Sequence, residues 1–119
     1  MKPKYKFFAN ASYALAGVLA MLKNEVAFRI ELAFIIPALI VSVFLPVNFE
    51  QHLLLVGVLC IIIIAECVNS AIEACVDLVT ENFHEKAKIA KDCASASVFF
   101  SIVLAVGVWG FVLLNLFLN

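Results

Sequence analysis

Residues 53–65 carry thirteen consecutive positions without a polar side chain, and comparable apolar stretches occur over about 26–47 and 94–118. A continuous run of this kind has no polar face to turn to water. In hydrocarbon, where backbone N–H and C=O groups find no solvent partner, only a helix or a closed barrel satisfies them within the protein. Segments of 20 residues or more at about 1.5 Å per residue match the roughly 30 Å hydrocarbon core. The chain is therefore read as an all-α membrane protein with three spanning helices, over about 26–47, 53–79 and 94–118.

The second stretch ends in an anomaly. Glu66, Asn69, Ser70, Glu73 and Asp77 follow the apolar run, and at about 100° per residue they fall within a wedge of roughly 100° on one helix face. A carboxylate near the middle of a bilayer costs on the order of 2.5–3.5 kcal/mol on insertion scales, so residues of this kind usually serve a site. Counting inward from residue 53, Glu66 lies about 20 Å along the helix, and Glu73 and Asp77 lie about 10 and 16 Å further on. The stripe thus runs from within the membrane to its far interface.

Composition agrees with one small integral membrane domain over 1–119. Of 119 residues, 66% are hydrophobic and 14% charged, against about half and a quarter in soluble domains. A chain this small cannot enclose a roomy pocket alone, and a homo-oligomer is expected. The net charge of −1 conceals an asymmetry, because all eight basic residues lie either before the uninterrupted apolar part of the first span, which begins at Leu32, or just before the third span. The positive-inside rule places both groups in the cytoplasm, with the N-terminus inside and the C-terminus on the opposite side. Residues 4–23 show helical apolar spacing with lysines at both ends, the pattern of an amphipathic helix lying in the interface. Cys60, Cys67, Cys75 and Cys93 have no metal-type pairing and read as small buried hydrophobes.

Each candidate has a plainer alternative. Glu66, buried at depth, suits a general base, or else a structural carboxyl satisfied by a neighbouring helix. Glu73, nearer the cytosol, suits a hard divalent cation, which takes carboxylate oxygens together with substrate phosphates; the alternative is a solvated charge at headgroup level. Asn69 and Ser70 lie between them, where helix–helix hydrogen bonding is the ordinary role. Glu25 and Arg29 have the i,i+4 spacing of a surface ion pair, yet Glu25 shares the depth of Glu73, so the two carboxylates could hold one metal. His84, Glu85, Lys86, Lys88, Lys91 and Asp92 form the cytoplasmic connection. There Lys91 could neutralise phosphate oxygens. No glycine-rich phosphate cradle or protein-kinase signature is present, and nothing points to nucleic acid.

Three blocks together resemble the small bacterial diacylglycerol kinase family, the trimeric integral-membrane lipid kinases. They are Asn24-Glu25-Val26-Ala27-Phe28-Arg29, the run Glu66-Cys67-Val68-Asn69-Ser70-Ala71-Ile72-Glu73-Ala74-Cys75-Val76-Asp77, and His84-Glu85 followed by Ala90-Lys91-Asp92-Cys93-Ala94-Ser95. Tyr13 and Gly17 also fit. The resemblance covers nearly the whole chain, and it implies a helical-bundle homotrimer with sites shared between protomers in the bacterial inner membrane. It implies ATP-dependent phosphorylation of 1,2-diacylglycerol to phosphatidate, with Mg²⁺ and ATP as cosubstrate. Carried over by position, Glu66 is the catalytic base and Glu25 and Glu73 are the metal ligands. Tyr13, Glu25, Asn69, Glu73, Asp77, His84, Glu85, Lys91 and Asp92 fall around the nucleotide, and Lys6, Arg29, Glu31, Glu66 and Ser95 around the lipid.

The chain departs from the family pattern at Lys6, where an arginine is expected, at Ile30, where glutamine is common, and at Ala16, where a larger basic residue occurs. These bear on headgroup contacts. The rival substrate is undecaprenol, used by some relatives, although the N-E-x-A-F-R-x-E form of the first block favours diacylglycerol. Rivals from other classes are a small proton or cation channel relaying through Glu66 and Glu73, and a non-catalytic bundle subunit.

Overall fold

The computed structural model describes residues 6–118. The lysines at 2 and 4, and the start of the surface helix at residue 4, lie outside the described residues. Four helices follow in order: α1 (Phe7–Asn24), α2 (Val26–Phe44), α3 (Phe49–Val79) and α4 (Glu85–Leu118). No strand occurs among the described residues. Three of the helices, α2, α3 and α4, are long and apolar enough to cross a membrane.

Buried positions recur at helical period and define one seam. On α3 they are Leu55, Val58, Leu59, Ile62, Glu66 and Asn69, on α2 Phe28, Ile35 and Ser42, and on α4 Ala94, Ser101, Ala105 and Val112. Spacings of three, four and seven keep each set on one face, as in antiparallel bundles. Ile35, Val58, Leu59, Ile62 and Ala105 form the core cluster, with Trp109 packed against it. The polar stripe on α3 therefore begins within the packing seam, at Glu66 and Asn69, and runs out of it toward the exposed Asp77.

Small residues let α4 approach α3 closely. Ser42, Ser97 and Ser101 turn their hydroxyls back onto the carbonyls of Leu39, Ala94 and Val98 at 2.7, 2.6 and 2.7 Å, so each polar group is satisfied inside its own helix. Two contacts fix the antiparallel register of α3 and α4. Trp109 Nε1–H donates to the Leu55 carbonyl at 3.1 Å, and Lys91 Nζ meets Asp77 Oδ1 at 2.7 Å near the other end. Replacing Trp109 by Phe removes the first of these in an apolar setting. Reversible unfolding in mixed detergent micelles is expected to show a loss of about 1 kcal/mol.

The termini carry the expected chemistry. Asn48 closes a capping box at the start of α3, its Oδ1 accepting from the Gln51 N–H at 2.8 Å while Gln51 Oε1 accepts from the Asn48 N–H at 3.2 Å. The box begins α3 at Phe49, so residues 49–52, polar enough to read as a turn, form its first turn. At the other end of the hairpin, residues 85–92 read as connection because they are charged, yet they form the first turns of α4. His84 Nδ1 accepts the Lys86 N–H at 3.1 Å and so caps that helix. At about 1.5 Å per residue α3 and α4 are roughly 46 and 51 Å long, well beyond the hydrocarbon thickness. Pro37 lies within α2, which runs through it without a break.

Helix α1 is nearly all exposed, with Met21 its one buried residue and Phe7, Phe8, Leu15 and Leu19 open to the surroundings. An apolar row on an isolated helix suits the membrane interface. The cysteines correct one expectation. All four are free, and Cys60, Cys75 and Cys93 are exposed on the chain, off the seam, with Cys67 half-buried.

Candidate functional site

At the polar end of the seam the three long helices part around a cavity of about 420 Å³. Its lining comes from the α1–α2 elbow (Glu25), from the start of α2 (Val26 and Ala27), from α3 (Glu66, Asn69 and Glu73) and from α4 (Ser95 and Val98). Glu66 is 5% exposed, although it is ionisable, because it occupies a seam position one turn beyond Ile62. Glu73 lies seven residues on, about two turns nearer the end of α3.

Hydrogen bonds hold the upper rim. Asn69 Nδ2 donates to Glu73 Oε1 at 3.1 Å, an i,i+4 pair along α3. Ser70 Oγ donates to Glu25 Oε2 at 2.5 Å, which ties the α1–α2 elbow to α3. Ser70 stands in the sequence stripe without an assigned role, and its contact with Glu25 spans 45 residues, beyond the reach of any local pattern. Two buried oxygens here have no partner, Asn69 Oδ1 and Glu31 Oε2.

The electrostatics are one-sided. Glu66 is acted on by three further carboxyls, Glu31 first and then Glu25 and Glu73. The nearby cations are engaged elsewhere. Arg29 Nη1 donates to the Leu22 and Lys23 carbonyls at 2.7 and 3.2 Å and does not pair with Glu25. Lys91 pairs with Asp77, and Lys88 with Asp92 at 2.6 Å. Like charges so arranged favour a bound cation.

Among the described residues no group of three or more His, Cys, Asp or Glu forms a metal cage. The donors present do fit Mg²⁺, which takes one or two carboxylates and fills its remaining positions with water and phosphate oxygens. Glu25 and Glu73 line one cavity, and the unpartnered Asn69 Oδ1 adds a neutral oxygen beside them.

A second cavity of about 370 Å³ follows along α3, lined by Asp77, Thr80, Asn82, Phe83, His84, Lys88, Lys91 and Asp92 among others. Its walls are the end of α3, the connection and the start of α4. The sequence candidates thus divide. Glu25, Glu66, Asn69, Glu73 and Ser95 share the first cavity, and Asp77, His84, Lys91 and Asp92 share the second. Glu31 stands beside Glu66. Lys6, Tyr13, Arg29 and Glu85 line neither cavity.

Comparison with known proteins gives a consistent result. The sequence profile of the prokaryotic diacylglycerol kinase family matches residues 12–113. The diacylglycerol kinase of Escherichia coli K12 is 37% identical over 99 residues, covering 83% of this chain and 81% of that protein. That of Pseudomonas aeruginosa is 36% identical over 111 residues, covering 92% and 90%. The Helicobacter pylori protein of the same name is 29% identical over 114 residues, covering 96% and 89%.

Proposed function

The chain belongs to the prokaryotic diacylglycerol kinase family, and from that premise we propose that it phosphorylates the primary hydroxyl of 1,2-diacylglycerol with MgATP, giving phosphatidate and ADP. One observation carries the reading: a single cavity is lined by Glu66 together with Glu25 and Glu73, and a second cavity, holding Lys91 and Lys88 among acidic neighbours, follows along α3. An apolar lipid can offer a hydroxyl from one side and a nucleotide its phosphates from the other.

The chemistry follows from the positions. Glu66 accepts the hydroxyl proton as the lipid oxygen forms its bond to the γ-phosphorus and the bond to the ADP oxygen breaks. Glu66 itself is only 5% exposed, which limits its contact with bulk water and so loss of the phosphoryl group to hydrolysis. Glu25 and Glu73 would hold Mg²⁺, which when bound neutralises charge between the phosphates. Lys91, oriented by Asp77, offsets charge on the phosphate oxygens, and His84, Glu85, Asp92 and Tyr13 border the nucleotide. Asn69 keeps Glu73 in place. Val26, Ala27 and Val98 give the lipid approach an apolar wall, with Ser95, Glu31 and Lys6 nearer the headgroup. Positioning and electrostatic stabilisation do most of the work in such a transfer.

The site is open in the single chain, which leaves room for a neighbouring protomer to complete its wall in the homotrimer that the family resemblance implies. The basic residues near α1 and at the start of α4 support a cytoplasmic location for both cavities in a bacterial inner membrane. A Mg²⁺-dependent ATP-consumption assay on the protein in lipid vesicles tests the reading. Consumption that rises with diacylglycerol and not with undecaprenol is expected; the reverse preference would reassign the substrate within the same chemistry.

A further inference from the structure

Glu25 is the one acidic wall of the first cavity that no helix carries. It is the single extended residue between α1 and α2, with φ −122° and ψ 110°, so the direction of its side chain depends on how the two helices meet. Its own N–H holds the Met21 carbonyl at 2.9 Å. Arg29, one turn into α2, reaches back and donates from one nitrogen to the carbonyls of both Leu22 and Lys23. Those carbonyls belong to the last turn of α1, where intrahelical donors run out and the helix dipole favours a cation.

We propose that Arg29 is a positioning residue for the divalent-cation site: it staples the end of α1 to α2 and thereby keeps Glu25 opposite Glu73. The inference rests on the kinase reading and deepens it. Arg29 acts through the elbow, in contrast to the lipid-facing role implied by position alone. Ser70 is the second restraint on Glu25, at the carboxylate itself. A displacement of about 1 Å at such a site costs up to 10²-fold in rate. Lysine has the charge and lacks the forked geometry, so it restores the contact only in part.

The test uses the full chain in vesicles, as Arg29→Ala, Arg29→Lys and the parent. Mn²⁺ binding in the presence of ADP is read by electron paramagnetic resonance, amide exchange over residues 18–25 by mass spectrometry, and Mg²⁺ and diacylglycerol dependence by phosphate transfer. Arg29→Ala is expected to weaken Mn²⁺ binding and raise the half-saturating Mg²⁺ concentration by roughly tenfold. Exchange at the end of α1 speeds up, the diacylglycerol KM is unchanged, and Arg29→Lys falls between. Unaltered Mn²⁺ binding with a raised diacylglycerol KM would overturn the proposal in favour of a lipid contact, and no change in any readout would overturn it outright. A parent protein that transfers no phosphate would remove the kinase reading instead, while Mn²⁺ binding and exchange still judge the staple.

Discussion

Replacing Glu66 by Gln is expected to reduce phosphate transfer by at least about 10²–10⁴-fold, the usual contribution of a general base, while the protein remains folded and binds nucleotide. The substitution changes little else. Gln has the same length and fills the same seam position between Ile62 and Asn69, so the packing of α3 against its neighbours is retained. What it loses is the capacity to accept a proton. Gln is neutral at a position that is 5% exposed, so the folded protein is expected to gain or hold stability. Activity above about a tenth of the parent's would defeat the base assignment.

Glu73→Gln should be equally damaging for a different reason. Asn69 keeps an amide oxygen to donate to, so the local hydrogen bond at 3.1 Å survives; the negative charge does not. Of the two carboxylates facing the cavity for a cation, only Glu25 remains, and a hard divalent ion loses a large part of its protein ligation. Activity is expected to fall by about 10²–10³-fold, the scale of losing a transition-state electrostatic partner. The half-saturating Mg²⁺ concentration rises with it. Calorimetry with a non-hydrolysable nucleotide and Mg²⁺ distinguishes the two variants, because Glu66→Gln retains metal-dependent binding and Glu73→Gln loses it. Equal metal-dependent binding in both would mean that Glu73 is only a rim charge.

Periodicity made the membrane fold legible. The apolar runs predict three spanning helices, and three such helices are present; the stripe from Glu66 to Asp77 predicts one helix face, and Glu66, Asn69 and Glu73 do line one cavity. Boundaries were less legible where charge and helix coincide. Residues 85–92 are polar because α4 extends beyond the hydrocarbon, and polarity alone reads as a loop. Contacts between distant segments were least legible. Nothing local tells Ser70 to bond Glu25, or turns Arg29 away from Glu25 toward the end of α1, because the elbow geometry exists only once α1, α2 and α3 have packed. Likewise Glu31, at the headgroup end of its segment by sequence, becomes the nearest acidic neighbour of Glu66 through packing of α2 on α3.

The central claim is that the acidic track on α3 joins a lipid hydroxyl to a nucleotide phosphate. Its most direct test supplies the parent protein and Glu66→Gln with γ-labelled ATP, Mg²⁺ and vesicles containing diacylglycerol and undecaprenol, and identifies the labelled lipid. The account predicts label in phosphatidate with the parent and at most about a hundredth as much with Glu66→Gln. Cation flux without ATP and no label in any lipid would contradict it.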